Sequence, residues 1–150
     1  MDTSIVNIRY NLIKFVSLFH RLFTPSFKKE VDNKYNCTKN QVRAIMILGK
    51  KEKISPTLLG QCMDMEKGSI TTLINSMENM DLVYREDDSI DKRKTWIKLT
   101  EEGRNYYLRQ EAMFIDRIKK LFINLSEDEV NEFNNCLKTI VEILEKVRND

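Results

Sequence analysis

Two helical patterns joined by a tight turn between Ser55 and Met80, followed at once by two β-prone runs around a charged tip, constrain this chain more than anything else in it. Ser55-Pro56 opens the first of the pair, with Ser as N-cap and Pro in the first turn. That short helix carries Leu58, Leu59 and Cys62. After Asp64-Met65 the second runs from about Lys67 to Met80, with Ile70, Leu73, Ile74, Met77 and Met80 on its inner face. Leu82-Val83-Tyr84-Arg85 then reads as a strand, and Thr95-Trp96-Ile97-Lys98-Leu99 as its partner. Between them lies the polar stretch Glu86 to Lys94. A two-stranded hairpin behind a helix-turn-helix is a winged arrangement.

The flanks read as helices too. From Ile5 to Phe23, Ile5, Ile8, Leu12, Phe15, Phe19, Leu22 and Phe23 repeat at helical spacing. Val6, Ile13, Val16 and Leu18 widen that stripe, so the helix needs cover on more than one side, most easily from a second subunit. Thr38-Lys39-Asn40-Gln41 fits a capping box and opens a helix through Val42, Ile45, Met46 and Leu48 to Gly49. Thr100-Glu101-Glu102 caps a helix that continues to about Ile123, its acids meeting the positive end of the helix dipole. Ser126 to Glu129 is a further capping box. Behind it Val130, Phe133, Leu137, Ile140, Leu144 and Val147 alternate spacings of three and four, a helix-on-helix seam.

The expected fold is therefore mainly α with a small β-hairpin wing: a winged helix-turn-helix plus N- and C-terminal dimerisation helices. Its segments are 1–36, an N-terminal dimerisation helix; 37–99, the winged region; and 100–150, C-terminal dimerisation helices, all in one compact intertwined domain. A 150-residue chain with 41% hydrophobic and 32% charged residues can bury a core and stay soluble. No apolar run approaches the ~18–20 residues of a membrane span, and the N-terminus lacks a signal-peptide core. The expected location is the cytoplasm.

Cys37, Cys62 and Cys136 are far apart and odd in number, so reduced thiols are expected rather than a disulfide framework. One of them as a redox sensor is the alternative. His20 is the only histidine and lies in an apolar helical pattern. No metal site, phosphate loop or Ser-His-Asp set can be assembled, so neither an enzyme nor a cofactor is expected.

The stretch from Ile54 to Arg85, then Asp91-Lys92-Arg93 and Leu99-Thr100-Glu101-Glu102-Gly103, resembles the MarR family of bacterial transcription regulators. The spacing of D-x-R in the wing and L-T-x-x-G at its exit is the most specific part. The resemblance implies an obligate homodimer whose terminal helices interlock. It implies two recognition helices in successive major grooves of a near-palindromic double-stranded DNA operator, with each wing in an adjacent minor groove. Half-sites one duplex turn apart suit any helix-turn-helix dimer. The resemblance also implies a small aromatic, often anionic effector, or an oxidant sensed by a cysteine in the first helix. No cysteine precedes Cys37. Tyr10, Phe15, Phe19, Phe23 and His20 either line an effector pocket or fill the core, and core is the simpler reading.

On the second helix of the pair, Lys67, Ser69, Thr71, Thr72, Asn75 and Ser76 are left for the outside. Hydroxyls bond phosphates or base edges, and Asn pairs bidentately with adenine. Gly68 would let the backbone approach a phosphate. Many MarR regulators carry Arg where Thr72 and Ser76 stand, Ser or Thr where Glu66 stands, and Gly at Asp64 and Asp81. A site read through thymine methyls, adenine edges and DNA shape is therefore expected. In the wing, Lys92, Arg93 and Lys94 face the DNA. By resemblance Arg93 enters the minor groove and Asp91 steadies it. The alternative is a solvated hairpin, since Glu86, Asp87 and Asp88 nearly balance these bases. Thr38, Lys39 and Gln41 at a helix start are further phosphate contacts, although capping alone explains them.

The formal net charge of +2 conceals a gradient. Residues 1–36 carry net +3, residues 37–99 net +2 and residues 100–150 net −3. Moderate, salt-sensitive DNA affinity follows. The reading is a homodimeric DNA-binding regulator, a repressor, modulated by ligand or redox state. The competing one, motivated by a recognition helix without arginine, is a winged-helix protein-interaction module that has lost DNA binding.

Overall fold

Side-chain caps decide where most of the helices begin. In the computed structural model, which describes residues 3–28 and 34–148, Thr38 Oγ1 accepts from the Gln41 amide at 3.3 Å and Gln41 Oε1 accepts from the Thr38 amide at 2.8 Å. Ser55 Oγ accepts from the Leu58 amide, and Thr100 Oγ1 from the Gly103 amide. Ser126 and Glu129 form the last reciprocal pair. Each satisfies helix N–H groups that would otherwise lack a partner.

The elements are α1 (Thr3–Lys28), α2 (Lys39–Lys50), α3 (Pro56–Met63), α4 (Lys67–Asn79), β1 (Val83–Asp87), β2 (Thr95–Leu99), α5 (Glu101–Leu121) and α6 (Glu127–Arg148). The class is mainly α with one antiparallel hairpin, as the sequence implies. The first strand runs further than expected: Glu86 and Asp87, assigned above to the polar tip, pair with Trp96 and Thr95. Lys98 Nζ meets Glu86 at 2.8 Å across the hairpin, an opposite-charge cross-strand contact that suits an acid to a strand. Ile54 adds a single bridge to Ile97 on the other edge.

Contacts divide the chain into two compact units, Met1–Phe114 and Ile115–Asp150. In the first, Ala44, Ile45 and Leu48 of α2, Leu59 and Met63 of α3, and Ile70, Leu73, Ile74 and Met77 of α4 bury themselves against one another. Leu82, Val83, Ile97 and Tyr106 close the same cluster. Full burial of one such aliphatic side chain contributes roughly 1.5–3 kcal/mol, so α2, α3, α4 and the hairpin hold together as a body. In the second unit, Phe122 and Phe133 meet edge to face at 5.0 Å.

Two turns explain why glycine is common at the positions of Asp64 and Asp81. Both adopt left-handed backbone, with φ of 53° and 58°. Aspartate tolerates that region better than most residues with a β-carbon. The turn after α4 is closed by the Leu82 amide donating to Met77 O at 3.0 Å and the Asp81 amide to Glu78 O at 3.0 Å.

The apolar stripes of the outer helices are not core within this chain, which corrects the simpler reading of both. Tyr10, Phe15, Phe19 and His20 are exposed, with Phe19 stacked between Phe15 and Phe23 along α1. On α6, Leu137, Ile140, Leu144 and Val147 are exposed, and the helix buries no residue. Helical periodicity reports an apolar face; it does not report which chain covers that face.

Candidate nucleic-acid interface

α4 sorts its residues by face as a 3.6-residue period requires. Ile70, Leu73, Ile74 and Met77 point into the core, while Lys67, Ser69, Thr71, Thr72 and Asn75 are exposed. Two of its hydroxyls bond back to their own helix: Thr71 Oγ1 donates to Lys67 O at 2.9 Å and Thr72 Oγ1 to Gly68 O at 3.1 Å. That leaves each oxygen free to accept. The start of α4 is open. Glu66, its N-cap, makes no side-chain cap bond, and nothing stands within 4 Å of where a Gly68 β-carbon would be. The first N–H groups and the positive end of the helix dipole are therefore presented beside Lys67, an arrangement suited to an anion.

Ser76 is only partly exposed and Gln41 is buried, contrary to the outward roles expected of Ser76 on α4 and of Gln41 at the start of α2. Gln41 is only 7% exposed. Its Nε2 donates to Ser76 Oγ at 3.0 Å, and Ser76 Oγ donates to Leu73 O at 2.7 Å. The two side chains thus join the start of α2 to α4 instead of reaching outward. Thr38 and Lys39 remain exposed at that helix start, although the Thr38 hydroxyl is engaged as a cap.

The wing is built around an aspartate that the sequence reading counted only as neutralising charge. Asp88 Oδ1 accepts from the Ile90 amide at 3.0 Å and the Asp91 amide at 2.9 Å, while Oδ2 accepts from the Trp96 indole at 2.8 Å. These bonds to the Asp91 amide first, then to Trp96 and Ile90, lower its pKa to about 2. Backbone bonds from Asp88 N to Lys94 O and from Lys94 N to Asp91 O close the tip. Asp91 in turn accepts from Arg93: from Nε at 3.0 Å, from Nη2 at 3.3 Å and from its backbone amide at 3.1 Å. The Arg93 side chain and this backbone amide hold the Asp91 carboxyl below its ordinary range. The Arg93 side chain itself is 91% exposed. A cation is thus projected from a tip whose backbone is pinned, with Lys92 and Lys94 exposed on either side.

Arg85 was also missed. From β1 it pairs with Glu78 and donates to Asn75 Oδ1 at 2.8 Å, tying the wing strand to α4. Asp88 carries a usable signal, because an Asp before Ser-Ile-Asp favours an Asx turn. Arg85 carries none, since its partners lie seven and ten residues back on another element. Beside it a groove of about 870 Å³ between α3, α4 and the hairpin is lined by Gly60, Met65, Ile70, Ile74, Arg85 and Thr95. Among the described residues no group of three His, Cys, Asp or Glu is placed to hold a metal ion, and no helix is long and apolar enough to cross a membrane.

Residues 26–108, more than half of the chain, match the family described as transcriptional regulator SarA/Rot. The chain belongs to that family. This SarA/Rot regulator is 25% identical to the HTH-type transcriptional regulator MgrA of Staphylococcus aureus over 122 residues, which cover 81% of this chain and 82% of MgrA. Its fold is similar to that of a MarR transcriptional regulator from Methanosarcina mazei Go1, with a TM-score of 0.78 at 20% identity, covering 92% of this chain and 99% of that one. Streptococcus pneumoniae FabT, solved in complex with DNA, gives a TM-score of 0.75 at 18% identity, covering 94% and 99%. The winged-helix fold expected from the MarR resemblance is the fold of this regulator.

Proposed function

We propose that this regulator is a homodimeric, sequence-specific double-stranded DNA-binding protein that represses transcription by occupying a near-palindromic operator. α4 lies in the major groove, with Lys67, Ser69, Thr71, Thr72 and Asn75 toward the DNA, and the wing enters the adjacent minor groove through Arg93, flanked by Lys92 and Lys94. Thr38 and Lys39 contact phosphate. The observation that carries this reading is the Arg93 side chain, 91% exposed on a tip fixed by Asp88 and Asp91. A solvated hairpin has no need of so ordered a tip, whereas a narrow, negative minor groove attracts a positioned cation.

The exposed apolar stripes of α1 and α6 support closure against a second copy. The terminal segments 1–36 and 100–150 would hold two winged regions, 37–99, for half-sites one turn apart. The groove beside Ile70 and Arg85 is of a size that suits a small aromatic or anionic effector. An effector there would press on α4 and the wing strand together. The role is binding in the cytoplasm, without a catalytic step.

Titrating the full-length protein against DNA from upstream of its own gene, over a salt series, tests the reading. A specific complex whose log affinity falls linearly with log salt supports it. Absence of sequence preference at every salt concentration would instead favour a winged-helix protein-interaction module. In sedimentation a stable folded monomer would contradict the closure of α1 and α6.

A further inference from the structure

We propose that Arg85 fixes Asn75 as a hydrogen-bond donor toward DNA, and so sets which base edge α4 accepts at that position; this rests on the DNA-binding reading above. A guanidinium has five N–H donors and no acceptor. The Asn75 atom 2.8 Å from Arg85 Nη2 must therefore be the carbonyl oxygen, which settles the orientation of an amide whose two ends otherwise look alike. Arg85 is held on both sides. It pairs with Glu78, one turn along α4 from Asn75, and its backbone stands opposite Ile97 in the hairpin. Charge-assisted bonds of this kind are roughly twice as strong as neutral ones.

Asn75 is exposed, and its Nδ2 has no hydrogen-bond partner among the described residues. Reading adenine bidentately requires both amide atoms at one base edge, Nδ2 donating to N7 and Oδ1 accepting from N6. With Oδ1 turned to Arg85, the outward group is a donor. It suits the two acceptors of guanine (O6, N7) or the O4 of thymine, meets on adenine one acceptor (N7) beside an amino donor (N6), and opposes the amino donor of cytosine. This replaces the adenine pairing expected from the sequence.

Selection of binding sites from a random duplex library by the full-length protein tests it, with Asn75→Ala, Asn75→Asp, Arg85→Ala and the wild type run in parallel. At one position of each half-site the wild type should prefer guanine or thymine over cytosine by roughly five-fold, the worth of about one net hydrogen bond. Asn75→Ala should level that position alone. Asn75→Asp still accepts from Arg85 but presents only acceptors, and should move the preference to cytosine or adenine. Arg85→Ala frees the amide and should raise adenine. Asn75→Asp keeps the tether, so it decides the matter even where Arg85→Ala fails to fold. Adenine preferred by the wild type with an unchanged Arg85→Ala profile, or an Asn75→Ala profile identical to wild type, would overturn the assignment. No enriched sequence with the wild type would overturn the DNA-binding reading itself, and this inference with it.

Discussion

Gln41 Nε2 donates to Ser76 Oγ at 3.0 Å, joining the first turn of α2 to α4 across 35 residues of sequence. The same amide closes the α2 capping box through Oε1. One buried side chain therefore both starts a helix and docks it on its neighbour. Gln41→Ala should cost about 1–2 kcal/mol, as the cap and the interhelix bond are lost together. Urea unfolding checks this, and an unchanged midpoint would show that neither bond matters.

Gly103 is where α5 crosses the chain leaving α4. A β-carbon there would fall inside the van der Waals envelope of the Leu82 carbonyl, and that carbonyl also accepts from the Thr100 amide at 3.1 Å. The spacing of L-T-x-x-G thus has a physical cause: Thr100 caps α5 and donates to Asp81 O at 2.6 Å, while Gly103 allows the close approach. Gly103→Ala should destabilise by about 1–3 kcal/mol, the usual cost of overpacking, visible as a lower Tm.

Caps and turns were legible in the sequence because they are local. Thr38, Ser55, Thr100 and Ser126 start helices through bonds that span three residues. The extension of β1 through Asp87 was not legible, because an acidic pair looks like a turn until Trp96 and Thr95 stand opposite and Lys98 reaches Glu86. The outward faces of α4 and the wing tip followed from periodicity and motif spacing. Gln41 and Ser76 were misplaced because polar residues at a helix start and on an outer face look alike until a tertiary bond joins them. Arg85 depends on such tertiary partners as well.

Arg93→Ala should weaken operator binding by about 1–3 kcal/mol and reduce the salt slope by about one. Its side chain is almost wholly solvated in the free protein, so the Tm should stay put. Fluorescence anisotropy at several salt concentrations, beside a thermal melt, separates the two effects. Loss of affinity with an equal loss of Tm would mean a merely structural role.

Acid should loosen the wing at an unusually low pH. The Asp88 carboxyl titrates at about 2 when folded against an ordinary 3.8. A depressed carboxylate contributes stability that is present above its ordinary value and is lost as pH falls from about 4 through 2. Trp96, the sole tryptophan, donates to that carboxylate, so its fluorescence reports the step directly. In Asp88→Asn, which cannot titrate there, the step should be absent. A Trp96 transition in Asp88→Asn matching that of the wild type would assign it to another group.

A dimethyl-sulfate footprint of the full-length protein on its selected operator, which reads guanine N7 in the major groove and adenine N3 in the minor groove, tests the groove assignments most directly when run with and without Arg93→Ala. The wild type should protect two major-groove segments about one duplex turn apart, each flanked by a protected minor-groove segment. Arg93→Ala should lose the minor-groove protection and keep the rest. A single protected segment, or minor-groove protection that survives Arg93→Ala, would contradict a dimer that reads DNA with α4 and the wing together.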